Sequence, residues 1–181
     1  MAERTPEDSL SRTATPPGPV RLRAHRPGDI GWIIEAHGRL YAREYGWDAS
    51  FEALVAEIGA DFLRRFDPAS DRCWIAERDG ERLGSALIVR KDARTAQLRL
   101  VIVEPAARGL GVGKRLVHAC IDSARELGYA AMMLWTNDCL HAARGIYEQA
   151  GFELVASEAH RSFGHDLVGQ NWHLELGSGA Q

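Results

Sequence analysis

Apolar residues recur along this chain with two periods, and the points where one gives way to the other divide it into elements. Residues 1–19, ending in Pro16-Pro17-Gly18-Pro19, carry no apolar period and are expected to form a flexible leader. Val20 to His25 alternates apolar with polar and predicts a first strand. Pro27-Gly28-Asp29 ends it, with Asp29 a candidate helix N-cap. Ile30, Ile33, Ile34, His37 and Tyr41 fall at helical spacing and predict a helix to about Glu44, interrupted by Gly46. Phe51, Leu54, Val55, Ile58, Phe62 and Phe66 predict a second helix starting near Ser50. Cys73 to Ala76 and Leu83 to Val89 flank the turn signal Asp79-Gly80 and predict a hairpin.

A third strand follows from Ala96 to Val103, with Leu98, Leu100 and Ile102 expected on one face and Arg99, Val101 and Val103 on the other. Pro105 ends it, and the period then switches abruptly through Gly109-Leu110-Gly111-Val112-Gly113 into a helix. The buried stripe of that helix is Val112, Leu116, Cys120, Ile121, Ala124 and Leu127, and Gly128 stops it. Ala130 to Trp135 predicts a strand. Leu140, Ala143, Ile146, Tyr147 and Ala150 predict a helix ended by Gly151. Phe152 to Val155 and Gln170 to Leu176 are expected as short closing strands, joined by a loop rich in His, Gly and Ser. The order predicts a mixed α+β fold with one central, mostly antiparallel sheet flanked by helices. The strand–helix–strand unit from 96 to 135 should place its two strands parallel. Residues 20–177 are expected to form a single domain.

Composition narrows the function. The chain of 181 residues is 45% hydrophobic and 26% charged, within the globular range. A net charge of -3 provides no global basic field for nucleic acid. No apolar stretch reaches the roughly 20 residues of a membrane span, and Met1 to Leu10 is too polar and acidic for a secretory signal. A cytoplasmic protein is the expectation. Cys73, Cys120 and Cys139 lie far apart, without C-x-x-C or Cys/His clustering, and are expected as free thiols; no metal site is expected.

The strongest chemical signal is the glycine turn. Glycines at 109, 111 and 113 gather main-chain N–H groups at the positive end of a helix dipole, with no Cβ in the way. Arg108, Lys114 and Arg115 add positive charge, so a pyrophosphate-bearing ligand is implied. No Gly-Lys-Ser/Thr closes a Walker loop, and the even spacing departs from the dinucleotide fingerprint G-x-G-x-x-G. A glycine turn that merely allows close helix packing is the competing structural explanation.

Val103-Glu-Pro-Ala-Ala-Arg108-Gly-Leu-Gly111-Val-Gly113 resembles the acetyl-CoA signature Q/R-x-x-G-x-G/A of the GNAT superfamily of N-acetyltransferases. A second block, Leu134-Trp-Thr-Asn137, Ala142-Ala143 and Ile146-Tyr147-Glu-Gln-Ala-Gly151-Phe152, matches the same family in the right order. The resemblance is specific for the cofactor half and loose over residues 25–70. The stretch from Arg39-Leu-Tyr41 to Asp48 also resembles acetyltransferase domains fused to winged-helix regulators; no helix-turn-helix fits here, so that role is not carried over.

The resemblance implies the acyl-CoA N-acyltransferase fold, with its fourth and fifth strands parallel and splayed, and acetyl-CoA as cosubstrate. Main-chain groups of Val101, Ile102 and Val103 would pair with the pantetheine arm, and amides of Arg108, Gly109, Leu110, Gly111, Val112, Gly113 and Lys114 would hold the pyrophosphate. Asn137 and Ala143 would border the cofactor arm, although Asn137 also suits the start of a helix. Tyr147 would protonate the departing thiolate, against the alternative of an ordinary core aromatic. The position where some members carry a glutamate base is Gln97 here, which cannot serve, and Glu104 is a candidate whose plainer reading is a solvated carboxylate.

Glu44 is the remaining candidate to act as base or orient the acceptor, with Tyr45, Trp47 and Asp48 as acceptor-side residues. Solvated acids and a loop-anchoring Trp47 are the alternative. His37, His160 and His165 have the right pKa range for a base, although His37 on an apolar helix face suits a core histidine. The acceptor is expected to be a small-molecule amine, with a protein or peptide amine as the runner-up. A non-catalytic acyl-CoA sensor is the reading from another class. The family also implies a homodimer.

Overall fold

The computed structural model describes residues 17–177; residues 1–16 of the expected leader lie outside it. The first strand is β1 (Arg21–Ala24), followed by helices α1 (Asp29–Tyr45) and α2 (Ala49–Arg65). Strands β2 (Arg72–Arg78), β3 (Glu81–Arg90) and β4 (Thr95–Val103) form a meander; a short 3-10 turn, Pro105–Ala107, leads into α3 (Val112–Glu126). The chain closes with β5 (Ala131–Asn137), α4 (His141–Gln149), β6 (Glu153–Ser162) and β7 (His165–Glu175). The seven strands make one sheet in the order β1-β2-β3-β4-β5-β7-β6, antiparallel everywhere except β4 with β5. This is the mixed α+β architecture the element order predicts.

Each face of the sheet buries a different pair of helices. Leu116, Cys120 and Ile121 of α3 and Tyr147 of α4 pack on Leu98, Met132, Leu134 and Trp172. On the opposite face Ile30 and Ile33 of α1 and Phe62 of α2 pack on Ile75, Leu87 and Leu100.

Asp29 is not the cap of α1. Gly28 holds that position with φ 95°, and Asp29 is the first helical residue. Its fully buried carboxylate accepts from Arg23 Nη1 (2.6 Å), Arg82 Nε (2.7 Å) and the Arg26 amide (2.8 Å). Burial alone would raise its pKa; these donors outweigh burial and hold the carboxyl well below the usual carboxylate range. The acid therefore ties β1 and β3 to the head of α1.

Two further expectations need correction, and both corrections shape the site. The alternation expected along β4 breaks at Leu100, which has φ 51°. Register passes from Leu87↔Arg99 to Ser85↔Ile102, so Leu100 and Val101 together oppose Ala86 in a β-bulge. Beyond the bulge Leu100 and Ile102 turn to the α1 side, while Val101 and Val103 join Leu98 on the α3 side.

The expected loop after Val155 is instead a long hairpin. β6 and β7 pair from Glu153↔His173 to Ser162↔His165, with Phe163 and Gly164 at the turn. Because β6 is an edge strand, exposed over almost its whole length, its side chains carry no alternation; main-chain bonds to β7 define it.

Candidate active site

The site opens where β4 and β5 part. Their parallel pairing runs only from Thr95↔Ala131 to Leu98↔Leu134. Beyond it, the last part of β4 pairs with β3 alone, and Trp135 to Asn137 pair with β7 alone. The facing edges of residues 99–103 and 135–137 are left without a strand between them. This splay starts at the bulge.

At its mouth stands the glycine turn. Gly109 and Gly111 have φ 79° and 71°, in the left-handed region that glycine enters without strain, and open space lies where a Cβ would project. Gly113 is needed for a different reason. A Cβ there would fall 2.8 Å from Ile146 Cδ1 and 3.3 Å from Val103 Cγ2, so its absence lets α3 approach α4 and β4.

Among the expected amide donors, Arg108 N–H is committed to Pro105 O (3.2 Å) and Leu110 N–H to Ala107 O (3.3 Å). The first amide to close a turn of α3 is that of Arg115, onto Gly111 O at 3.0 Å. The amides of Gly111, Val112, Gly113 and Lys114 thus stand at the helix head without an intrahelical acceptor. The Leu110 side chain is exposed and turned away from the groove. Arg115 is also directed elsewhere, onto Val20 O at 3.0 Å.

Two adjoining cavities fill the cleft. One, of about 550 Å³, runs from Gly109, Gly111, Val112, Gly113 and Lys114 past Val101, Ile102 and Val103 to Ala143 and Tyr147. The other, of about 500 Å³, lies between Trp47, Phe51 and Leu54 on one side and Gln97 to Val101 and Met133 to Asn137 on the other. Tyr41, Val101, Leu140, Ala143 and Tyr147 line both.

Tyr147 therefore stands at the junction. Its ring is buried edge-on against Phe152 (6.0 Å), and its hydroxyl has no hydrogen-bond partner among the described residues. Burial raises its pKa far above that of a free phenol, keeping the O–H protonated. Tyr41, which spacing placed only on a helix face, shares that junction and is likewise shifted upward, first by burial and then by Tyr147. Its helical spacing gave no signal beyond that of a core aromatic.

The structure separates the other candidates. Tyr45 and Glu44 line the first cavity and not the second, and Glu44 is held by Arg108 Nη2 at 2.7 Å. Glu44, expected as base or acceptor-orienting residue, is thus engaged by an arginine beside the glycine turn. Trp47 is buried at the end of the second cavity, packed on Phe163 (4.9 Å) and Phe51 (4.8 Å). Asp48 lines neither cavity: it caps α2, accepting from the Ser50 hydroxyl and from Ser50 N at 2.9 Å, and these bonds, the hydroxyl's first, lower its pKa.

His37 is a core histidine. It lines neither cavity, its Nδ1 lies 2.8 Å from Ile33 O, and burial pushes its pKa down to about 4. His160 also lies outside both cavities and acts on Asn137 instead, with Nε2 2.9 Å from Asn137 Oδ1 and Nδ1 2.9 Å from Ser162 Oγ. Asn137, almost fully buried, lines the second cavity. His165 fixes the hairpin tip to Gly46 O at 3.0 Å, and Asp48 N–H donates to Phe163 O at 3.2 Å. Glu104 is paired with Arg39 at 2.7 Å, away from both cavities.

Among the described residues, the lining of the second cavity includes no carboxylate and no histidine; its charged groups are Arg99 and Lys91. Sequence reasoning missed this pair. The available signal was a cation in the middle of an apolar central strand. Among the described residues no cluster of His, Cys, Asp or Glu is placed to hold a metal, and Cys73, Cys120 and Cys139 are free thiols. No described helix is long and apolar enough to cross a membrane.

A strand parted from its parallel neighbour beside an amide-lined helix head is a geometry for an extended, phosphate-bearing ligand. Comparison with known proteins agrees. The model of the Acetyltransferase (GNAT) family matches residues 27–152, and the chain belongs to that family. It is 30% identical over 155 residues to mycothiol acetyltransferase of Thermomonospora curvata, covering 83% of this chain but only 50% of that one. The chain thus spans about half the length of that relative. Glucosamine 6-phosphate N-acetyltransferase 1 of Oryza sativa is 32% identical over 136 residues, covering 74% of this chain and 78% of its own. The fold matches yncA of Salmonella typhimurium, solved with its cofactor acetyl-CoA, at TM-score 0.71 and 22% identity, over 91% of this chain and 98% of that one.

Proposed function

We propose that this chain transfers an acetyl group from acetyl-CoA to the amine of a small molecule, by direct attack while both substrates are bound. The observation that carries the reading is the place of Tyr147, at the junction of the glycine-turn cavity and a second cavity of about 500 Å³. That size suits a small molecule. The names of the mycothiol and glucosamine 6-phosphate relatives support the same acceptor class.

In this reading the amides of Gly111 to Lys114 hold the pyrophosphate, the free edge of Val101 to Val103 lies along the pantetheine arm, and the thioester reaches Tyr147. The neutral amine forms the new N–C bond, the C–S bond breaks, and the Tyr147 hydroxyl gives its proton to the departing sulfur. With no acid or imidazole among the described residues lining that cavity, the alkylammonium loses one proton to water before attack, the bonded nitrogen loses a second to water after it, and solvent restores the tyrosine.

The missing base also favours a second reading, a non-catalytic acyl-CoA sensor. Release of free CoA thiol across an amine panel separates the two. Turnover that collapses in Tyr147→Phe supports transfer; tight acetyl-CoA binding with no thiol release from any amine refutes it.

A further inference from the structure

We infer that the acceptor carries an anionic group, a carboxylate or a phosphate, besides its amine, and that Arg99 receives it with Lys91 at the rim. This rests on the acetyl-transfer reading and narrows its substrate class. Arg99 lies in the middle of the sheet on β4, two residues before Val101, which lines both cavities with Tyr147. Half-buried, its guanidinium makes one hydrogen bond, Nη2 to the neutral Gln97 Oε1 at 3.0 Å. Its Nε is buried with no hydrogen-bond partner among the described residues.

No carboxylate lies within ion-pair distance of Arg99 among the described residues. The acid whose field reaches it, Asp61, borders a further hollow that Arg99 also lines, but is itself paired with Arg65 at 2.8 Å. A half-buried cation left this way is costly unless something answers it, and a planar guanidinium suits a two-oxygen anion held side by side. The rest of the wall agrees. Lys91 is the other charged residue, and Trp47, Phe51 and Leu54 offer an apolar surface for the body of the molecule. A polycation would meet two positive charges here with no acid to balance them.

The test uses the full chain with CoA bound, so that the glycine turn is occupied and cannot take up the probe. Two matched pairs of product-like compounds are titrated: N-acetylphenylalanine against its primary amide, and N-acetylated 2-aminoethyl phosphate against N-acetylethanolamine. Trp47 and Trp135, both in the cavity wall, report binding by fluorescence. In at least one pair the anionic member binds about 10- to 100-fold tighter than its neutral partner, and the pair that shows the preference tells carboxylate from phosphate. Arg99→Gln reduces the preference to about twofold or less, Arg99→Lys keeps part of it, and CoA affinity is unchanged in both, which reports an intact fold. Lys91→Gln, at an exposed position, weakens the preference without risk to folding.

Equal binding within both pairs, no binding by any of the four compounds at millimolar concentration, or a preference that survives Arg99→Gln overturns the inference. Thiol release from the parent amines is measured alongside. A binding preference without turnover counts against acetyl transfer and leaves the anion site standing. Turnover confined to neutral or cationic amines counts against the anion site and leaves acetyl transfer standing.

Discussion

Removing the hydroxyl of Tyr147 while keeping its ring is the sharpest perturbation of the proposed chemistry. In Tyr147→Phe the ring contact with Phe152 remains, and because the hydroxyl has no partner among the described residues, no hydrogen bond is broken. Stability should therefore change by less than about 0.5 kcal/mol. The catalytic cost is of another size. A positioned general acid contributes about 10²- to 10⁴-fold, so kcat should fall by at least about 100-fold, equivalent to about 2.7 kcal/mol of barrier. KM for acetyl-CoA should stay within about threefold, since in the proposed binding mode the pyrophosphate is held at the amides of α3 and not by this hydroxyl.

The pH profile gives a second reading of the same residue. Burial keeps the Tyr147 proton in place far above neutrality, so kcat/KM should rise with pH as the amine loses its proton, toward its pKa near 10.4 for an alkylammonium. No fall from ionisation of a phenol should appear between pH 7 and 10. Stopped-flow detection of the released thiol measures both quantities. A kcat within about threefold of the wild type at saturating amine would remove Tyr147 from the chemistry and leave Tyr41 as the remaining hydroxyl at the junction.

The other predictions test separate parts of the structure. Gly111→Ala meets no clash but places a side chain at φ 71°, costing about 1–2 kcal/mol of stability. Its Cβ also enters the open space beside the amides, so calorimetric acetyl-CoA affinity should fall about tenfold or more; unchanged affinity would mean that the pyrophosphate lies elsewhere. Glu44→Gln should alter KM for acetyl-CoA through the released Arg108 and leave kcat at saturating acetyl-CoA unchanged; a 100-fold loss of kcat would restore Glu44 as the base. Asp29→Asn leaves Arg23 and Arg82 without their carboxylate and should cost about 3 kcal/mol in urea unfolding. Because the folded pKa of Asp29 is depressed, its stabilisation is full above the unfolded value near 3.9 and is lost as pH falls below it. The variant should lose correspondingly less stability than the wild type between pH 5 and pH 2, and an equal loss in both would refute the role given to this acid.

Local pattern was enough to read the elements of the glycine-turn half, and the family resemblance supplied the roles expected of its residues. The glycine turn, the stripe of α3 and the Asn137 to Tyr147 block are fixed within a few residues of one another, by main-chain conformation and helical period, which act over short range. Hence the order of elements and the parallel pair around α3 could be read from the sequence. In the structure the helix head, the splayed strand and Tyr147 border one cavity.

The acceptor half could not be read in this way, because long-range packing decides it. Leu100 shows a plain strand residue in the sequence, yet pairing with β3 forces a bulge there and reverses the faces beyond it. Beyond Val155, β6 shows no strand pattern because an edge strand in solvent needs only main-chain partners. Glu44, Asp48, His37 and His160 carry suitable chemistry, but a side chain's role depends on what it faces. Tertiary contacts turned Glu44 to an arginine, His37 to the core and His160 to an asparagine, and the start of α2 took Asp48 as its cap. The same contacts left Arg99, beside the second cavity, without a carboxylate in ion-pair reach among the described residues, because the sheet sets which neighbours a buried charge can meet.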